Sequence, residues 1–288
     1  MILRTLADYT AACDRLFETK PDPVWFRGQP AVNLPLLPGL YRDGEPVLSA
    51  TGWSIRNGRQ GRATTSIYPS LDRMMDAFKK ESADYLAADV AKDEFDWLFL
   101  MQHYGIPTRL LDWSTDPLVA LYFAVHHSQR GDNPHITALP RAHRVEVIAL
   151  DPVSMNDEAF GRRKVVDLNE KTWGGYLGAD PSHLPPIAVN ARSIHRRIQA
   201  QKGHFTMHGS MTWPLHGFDP LRGVMRSLII PGVAVRGLAA ELAEAGYRRD
   251  TLFPELDAVA DRIVADERAR FASWREDWRN GSDDEDAQ

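Results

Sequence analysis

The chain reads as an α+β fold, and three observations point there. Strand-like and helix-like segments are interspersed, but without the regular βαβ alternation of a doubly wound sheet. No internal repeat or compositional break divides the 288 residues. And one stretch, Gln102 to Pro117, packs a helix end, a glycine turn, a buried strand and a new helix start into a few turns of chain.

Composition narrows the class. The chain is 43% hydrophobic and 25% charged, ordinary values for a soluble globular protein. A net charge of −5 gives no global pull toward nucleic acid or anionic membranes, although its 34 basic residues leave room for local clusters. Cys13 stands alone, so neither a disulfide framework nor a cysteine zinc site is expected. No signal-peptide core or transmembrane span is evident, and a cytoplasmic protein is the expectation.

Residues 7–17 predict a first helix, with Tyr9, Ala12, Cys13 and Leu16 on one face. After Asp22-Pro23, Val24-Trp25-Phe26-Arg27-Gly28-Gln29 reads as a strand in which Arg27 points with Trp25. An arginine near the end of an apolar strand needs an anionic partner; a structural salt bridge and an anion-binding role both supply one. Residues 33–42 are too proline-rich for a central strand and predict an extended segment packed over the core. Residues 43–65 carry four glycines without periodicity and predict a surface loop, basic through Arg56, Arg59 and Arg62. That basicity suits a solvated loop or contacts with phosphates.

Residues 70–91 predict a strong helix, from Leu71, Met74, Met75, Phe78, Ser82, Tyr85 and Leu86 at helical spacing. A second helix over 93–104 ends at Gly105, and Pro107 forbids its resumption. Residues 108–111 then read as a buried strand, after which Asp112, Ser114, Thr115 and Asp116 are N-cap types and Pro117 suits a first helical turn. The polar residues here, Gln102, His103, Thr108, Arg109, Asp112, Trp113, Ser114 and Thr115, lie between apolar segments and must be paired or functional. Two readings fit: a structural knot with Arg109 paired to Asp112, or a ligand pocket beside a helix start.

Residues 118–125 predict a buried helix. The His126-His127 pair that follows cannot share one helix face and has no acids at ligand spacing, so no metal site is expected. Residues 131–144 read as a loop, 145–150 as a strand, 159–183 as loop with short helical pieces, and 185–189 as extended chain. Residues 193–201 form a short basic helix before a strand over 203–208, where His204, Thr206 and His208 share one face. A loop over 215–222 leads to a strand over 225–230 and a helix over 235–245 capped by Gly246. A long amphipathic helix over 254–271 and an acidic, disordered tail over 276–288 complete the expectation of a single domain over 1–275.

Three segments together, Trp25-Phe26-Arg27-Gly28-Gln29, Gln102 through Ser114, and Gln199-Ala200-Gln201-Lys202-Gly203-His204-Phe205-Thr206, resemble the FRG domain family over roughly residues 20–210. The resemblance implies a bacterial protein, several of whose relatives belong to phage-defence or toxin-like settings, with no defined chemistry. The chain is also remotely similar to ADP-ribosyltransferases, which implies a mixed or antiparallel split sheet with several flanking helices and NAD as substrate. On that resemblance Arg27 at the end of a first strand grips the NAD diphosphate or ribose, with Gly28 and Gln29 beside it. The Asp112-Trp113-Ser114-Thr115 run supplies the middle motif, and Gln201 stands where these enzymes carry Glu or Gln. Ala120-Leu121-Tyr122-Phe123-Ala124 looks like the Tyr-Phe-Ala segment of poly(ADP-ribose) polymerase-type folds.

The expected catalytic set is therefore Arg27, His103, Asp112 and Gln201. Arg27, Gly28, Gln29, Arg109, Trp113, Ser114, Thr115 and Tyr122 are the expected nucleotide contacts, with Trp113 or Tyr122 stacking on the base. Gln201 can hydrogen-bond ribose but stabilises a cation less well than a carboxylate, a charge that Asp112 or Glu94 would then supply. A metal-independent nuclease or other hydrolase using Arg27, His103, Arg109, Asp112 and His204 or His208 is an alternative, as is a non-catalytic nucleotide- or protein-binding module. The expected partners are a nucleotide, a protein or nucleic-acid acceptor and a cognate regulator, with no membrane and no metal.

Overall fold

A computed structural model of the chain describes residues 3–16, 23–42, 45–56, 59–87, 90–130, 144–177, 184–192, 196–209 and 213–254. The chain opens with α1 (Leu6–Leu16), β1 (Trp25–Gln29), a hairpin of β2 (Glu45–Arg56) and β3 (Arg59–Ile67), then α2 (Leu71–Glu81) and α3 (Glu94–His103). β4 (Leu110–Ser114), α4 (Pro117–Arg130), β5 (Arg144–Leu150), α5 (Pro152–Phe160), α6 (Glu170–Trp173) and β6 (Ile187–Val189) follow. α7 (Arg196–Ala200), β7 (Gly203–Met207), α8 (Asp219–Arg222), β8 (Met225–Pro231), α9 (Gly232–Glu244) and α10 (Arg249–Leu252) complete it.

Six strands form one sheet in the order β6-β7-β4-β1-β5-β8, every neighbouring pair antiparallel. Its two halves are well laddered: β1 pairs with β5 over five positions, and β4 with β7 over five. Between the halves, β1 and β4 meet only at Phe26↔Ser114. The sheet is thus two three-stranded ladders joined at one residue pair, and they part beyond it.

Strand alternation sorts the core. Trp25, Leu111, Trp113, Ile148, Leu150 and Ala188 pack together on one face. On the other face Phe26, Val145, Val147 and Ala149 join α4 and α9 in one cluster, while Leu110, Phe205, Met207, Ile187 and Val189 join α3 in a second. The line between these two clusters runs along the joint between the half-sheets. α4 lies directly on β1 because residue 28 is glycine: a Cβ there would overlap the Ala120 carbonyl and sit 2.6 Å from the Ala124 amide nitrogen.

Caps set the helix starts as the sequence suggests. Ser70, Asp93 and Asp151 accept the amides of Arg73, Asp96 and Ser154, and the Asp116 carboxylate accepts from Leu118. α3 ends on Gly105, at φ 79°, and α9 is followed by Gly246, at φ 90°.

Several expectations need correction. Residues 43–65 are not a loop: β2 and β3 pair from Glu45↔Ile67 to Arg56↔Arg59. The cue was Asn57-Gly58 between them, a dipeptide strongly favoured between hairpin strands. α2 stops at Glu81 with Ser82 as its cap, short of residue 91, because the sequence after it buries too little; Tyr85 is 87% exposed. The strand expected over 108–111 is shifted to Leu110–Ser114, its edges fixed by pairing with β7. The stretch 215–222 holds a 3-10 turn and α8. The loop over 131–143, the helix beyond Pro254 and the acidic tail lie outside the described residues. Among the described residues no helix is long and apolar enough to cross a membrane.

Candidate functional site

Where β1 and β4 part, a cleft of about 640 Å³ opens. Residues 27–29 of β1 form one wall and residues 110–114 of β4 the other. The first turns of α4, the end of α3, the segment after β1 and α7 with Gln201 complete the lining. The three separated sequence segments therefore converge on one hollow.

Arg27 spans the gap. Its Nη1 donates to the Asp112 carbonyl at 2.7 Å and lies 3.8 Å from the Asp112 carboxylate. The side chain is 17% exposed, and Nε has no hydrogen-bond partner among the described residues. Burial lowers the guanidinium from its ordinary value to about 10; Asp112 opposes that shift, and the nearby charge of Arg42 adds to it. Arg42, which lines the same cleft, is aimed by a hydrogen bond from its Nε to the Leu37 carbonyl. With Arg197, three arginines among the described residues line the cleft against a single carboxylate, Asp112. The hollow is electropositive in a protein of net negative charge.

Asp112 is held by a relay that begins in the turn before β4. The Leu110 amide donates to Thr108 Oγ1, whose hydroxyl donates to Gln102 Oε1 at 2.6 Å. Gln102 Nε2 in turn donates to Asp112 Oδ2 at 2.8 Å. The carboxylate stays 58% exposed and faces solvent in the cleft mouth.

On the α7 side, the Ser114 hydroxyl donates to the Gln201 carbonyl at 2.7 Å and accepts from the Asp116 amide. The Thr115 amide donates to the Lys202 carbonyl, and Lys202 Nζ reaches Asp116 at 2.9 Å. These contacts hold Lys202 in the left-handed region, φ 46°, a conformation that costs a non-glycine residue roughly 1 kcal/mol. The Gln201 side chain donates to the Leu252 carbonyl, which ties the cleft rim to α10.

Arg27, Gly28, Gln29, Asp112, Trp113, Ser114 and Gln201 thus line the cleft; His103, Arg109, Thr115 and Tyr122 do not. The Trp113 ring is 3% exposed and its Nε1 donates to Thr206, so the indole holds the wall and offers no stacking face. Tyr122 is 5% exposed in the cluster over β5, stacked on His126. The pairing of Arg109 with Asp112 does not form, since residues three apart point to opposite faces of an extended chain. Arg109 is buried near Tyr41, whose phenol burial pushes upward and Arg109 pulls back. His103 packs edge-on against Tyr104. His204 stacks on Trp25, and His208 is fully buried with its ring tilted against Tyr41. Among the described residues no cluster of three or more His, Cys, Asp or Glu is placed to hold a metal ion.

Arg42, Phe123 and Arg197 line the cleft and carried no role on sequence grounds. Arg42 was legible only as the polar end of an apolar, proline-stiffened segment. Arg197 was one of several basic residues on a short helix.

Compared with known proteins, residues 22–133 match the family model of the FRG domain. The chain carries an FRG domain. No curated protein and no solved structure matches the chain. The FRG match spans β1 through α4, and so includes both walls of the gap, the Gln102 relay and the glycine that seats α4. Arg197 and Gln201 come from beyond it.

Proposed function

We propose that the cleft binds a nucleotide through its diphosphate and that the protein is an ADP-ribosyltransferase-like enzyme with NAD as substrate. The observation that carries this reading is Arg27: a buried guanidinium at a gap in the sheet, near a second arginine, with its Nε unpaired among the described residues. Two arginines held close together repel, and a diphosphate between them removes that repulsion while supplying bidentate acceptors.

In the reaction, the bond between ribose C1′ and the nicotinamide nitrogen breaks, and its electron pair leaves with neutral nicotinamide. The ribose passes through an oxocarbenium-like state, and an acceptor nucleophile forms the new C1′ bond and gives up its proton. Gln201 is committed to Leu252 through its amide nitrogen, so the stabilising negative charge falls to Asp112. Asp112 also orients Arg27 through its carbonyl, which couples diphosphate binding to the carboxylate.

The histidine-based phosphodiesterase is the weaker reading, because no imidazole among the described residues lines the cleft. NAD turnover with transfer of labelled ADP-ribose to a protein or nucleic acid tests the proposal. Binding without turnover would leave a nucleotide-sensing module; EDTA-insensitive RNA cleavage with NAD untouched would overturn it in favour of the nuclease. A toxin or phage-defence role, suggested by the FRG resemblance, predicts growth arrest on expression that Arg27→Met relieves.

A further inference from the structure

We infer that the β2–β3 ribbon is an arm that holds single-stranded nucleic acid at the mouth of the cleft. That the bound strand is the acceptor of ADP-ribose rests on the transferase reading above; that the arm binds it does not.

The ribbon is a two-stranded sheet of its own, apart from the six-stranded sheet. Both of its feet are fixed beside the cleft. β2 begins at Glu45, three residues after Arg42, which lines the hollow. β3 ends at Ile67, and the next residue, Tyr68, packs edge-on against Tyr41 with ring centroids 5.0 Å apart. The nine residues of β3 carry the ribbon roughly 30 Å from foot to tip.

Charge falls on this segment unlike the rest of the chain. From residue 46 to residue 71 the sequence holds Arg56, Arg59 and Arg62 and no Asp or Glu, although the chain has 39 acids in 288 residues. The register sharpens the contrast, pairing Arg56 with Arg59 and Trp53 with Arg62. Like charges directly opposite on a ribbon are destabilising, and a row of phosphates turns that cost into attraction. An aromatic residue opposite an arginine is a stacking platform for unpaired bases. An acidic peptide or a lipid headgroup has no base to offer it, and a duplex keeps its base faces stacked inside.

Titration of the full chain with a labelled single-stranded RNA of about 16 nucleotides, followed by fluorescence anisotropy from about 50 to 200 mM salt, tests this. The combined Arg56→Gln, Arg59→Gln, Arg62→Gln variant is expected to bind at least about 10-fold more weakly. Its slope of log affinity against log salt should flatten by about 2, with ADP-ribose binding unchanged. The Arg56→Lys, Arg59→Lys, Arg62→Lys counterpart keeps the charge and should keep the slope, which separates lost phosphate contacts from a ribbon that fails to form. Trp53→Leu should cost about 5-fold or more at unchanged slope. Equal slopes for the wild type and the glutamine variant would overturn the inference while the cleft stood. So would a duplex, poly-glutamate or phosphatidylserine vesicles bound as tightly as the single strand. RNA binding without affinity for ADP-ribose would instead remove the transferase reading and leave the arm.

Discussion

Replacing Arg27 by methionine separates a ligand-facing guanidinium from a structural one, because the two make opposite predictions for stability. In the free protein the charge is held at a cost. Lowering the guanidinium from its ordinary value to about 10 corresponds to roughly 3 kcal/mol against the charged form. Against that stands one charge-assisted bond to the Asp112 carbonyl at 2.7 Å, worth about 1.5–3 kcal/mol. The two nearly cancel, and the methionine stem retains most of the packing. Melting by circular dichroism should therefore move by no more than about 4 °C. Binding behaves otherwise: two unit charges about 4 Å apart at an effective dielectric near 20 interact by about 4 kcal/mol. Half of that is a loss of about 30-fold in ADP-ribose affinity, measured by calorimetry at fixed salt. A drop of 10 °C or more with affinity unchanged would refute the reasoning and return Arg27 to a purely structural salt bridge.

Other outcomes follow from the same geometry. Asp112→Asn keeps the carbonyl that orients Arg27 but removes the one carboxylate lining the cleft, so nucleotide affinity should hold or tighten while NAD turnover falls at least about 100-fold; unchanged turnover would exclude Asp112 from the chemistry. Gly28→Ala drives a methyl into the α4 backbone at Ala120 and Ala124 and should cost about 3 kcal/mol or prevent folding, read as soluble yield and melting temperature. Burial pushes the His208 imidazole down to about 3, so the unfolded chain binds the proton first as pH falls below 6.5. Stability should therefore drop by roughly 2 kcal/mol between pH 6.5 and 5 from this group, and denaturant titrations of His208→Leu should show a shallower slope over that interval.

How much of this was legible in the sequence depends on whether local chemistry or long-range pairing decided each feature. The break at Gly105 and the caps at Asp93, Ser70 and Asp116 are local, and the helix ends they set stand where the sequence put them. Arg27, Ser114 and Gln201 were readable as a set because each lies in or beside a short strand, Arg27 within β1, Ser114 at the end of β4 and Gln201 just ahead of β7. Stacking by Trp113 was misjudged because aromatic residues beside polar ones look ligand-facing, but a cross-strand partner, Thr206, fixes which way the ring turns, while Tyr122 sits on the face of α4 that packs into the core. The salt bridge of Arg109 failed on strand parity. Arg42 and Arg197 were invisible because nothing local says that a proline-rich segment and a short helix far apart in the chain close over the same gap.

The most direct test is a crystal structure grown with ADP-ribose. The account predicts the diphosphate between the β1 and β4 halves of the sheet, in contact with the Arg27 guanidinium, and a ribose within reach of Asp112. Ligand bound elsewhere on the molecule, or a cleft holding only water at saturating ligand, would contradict it.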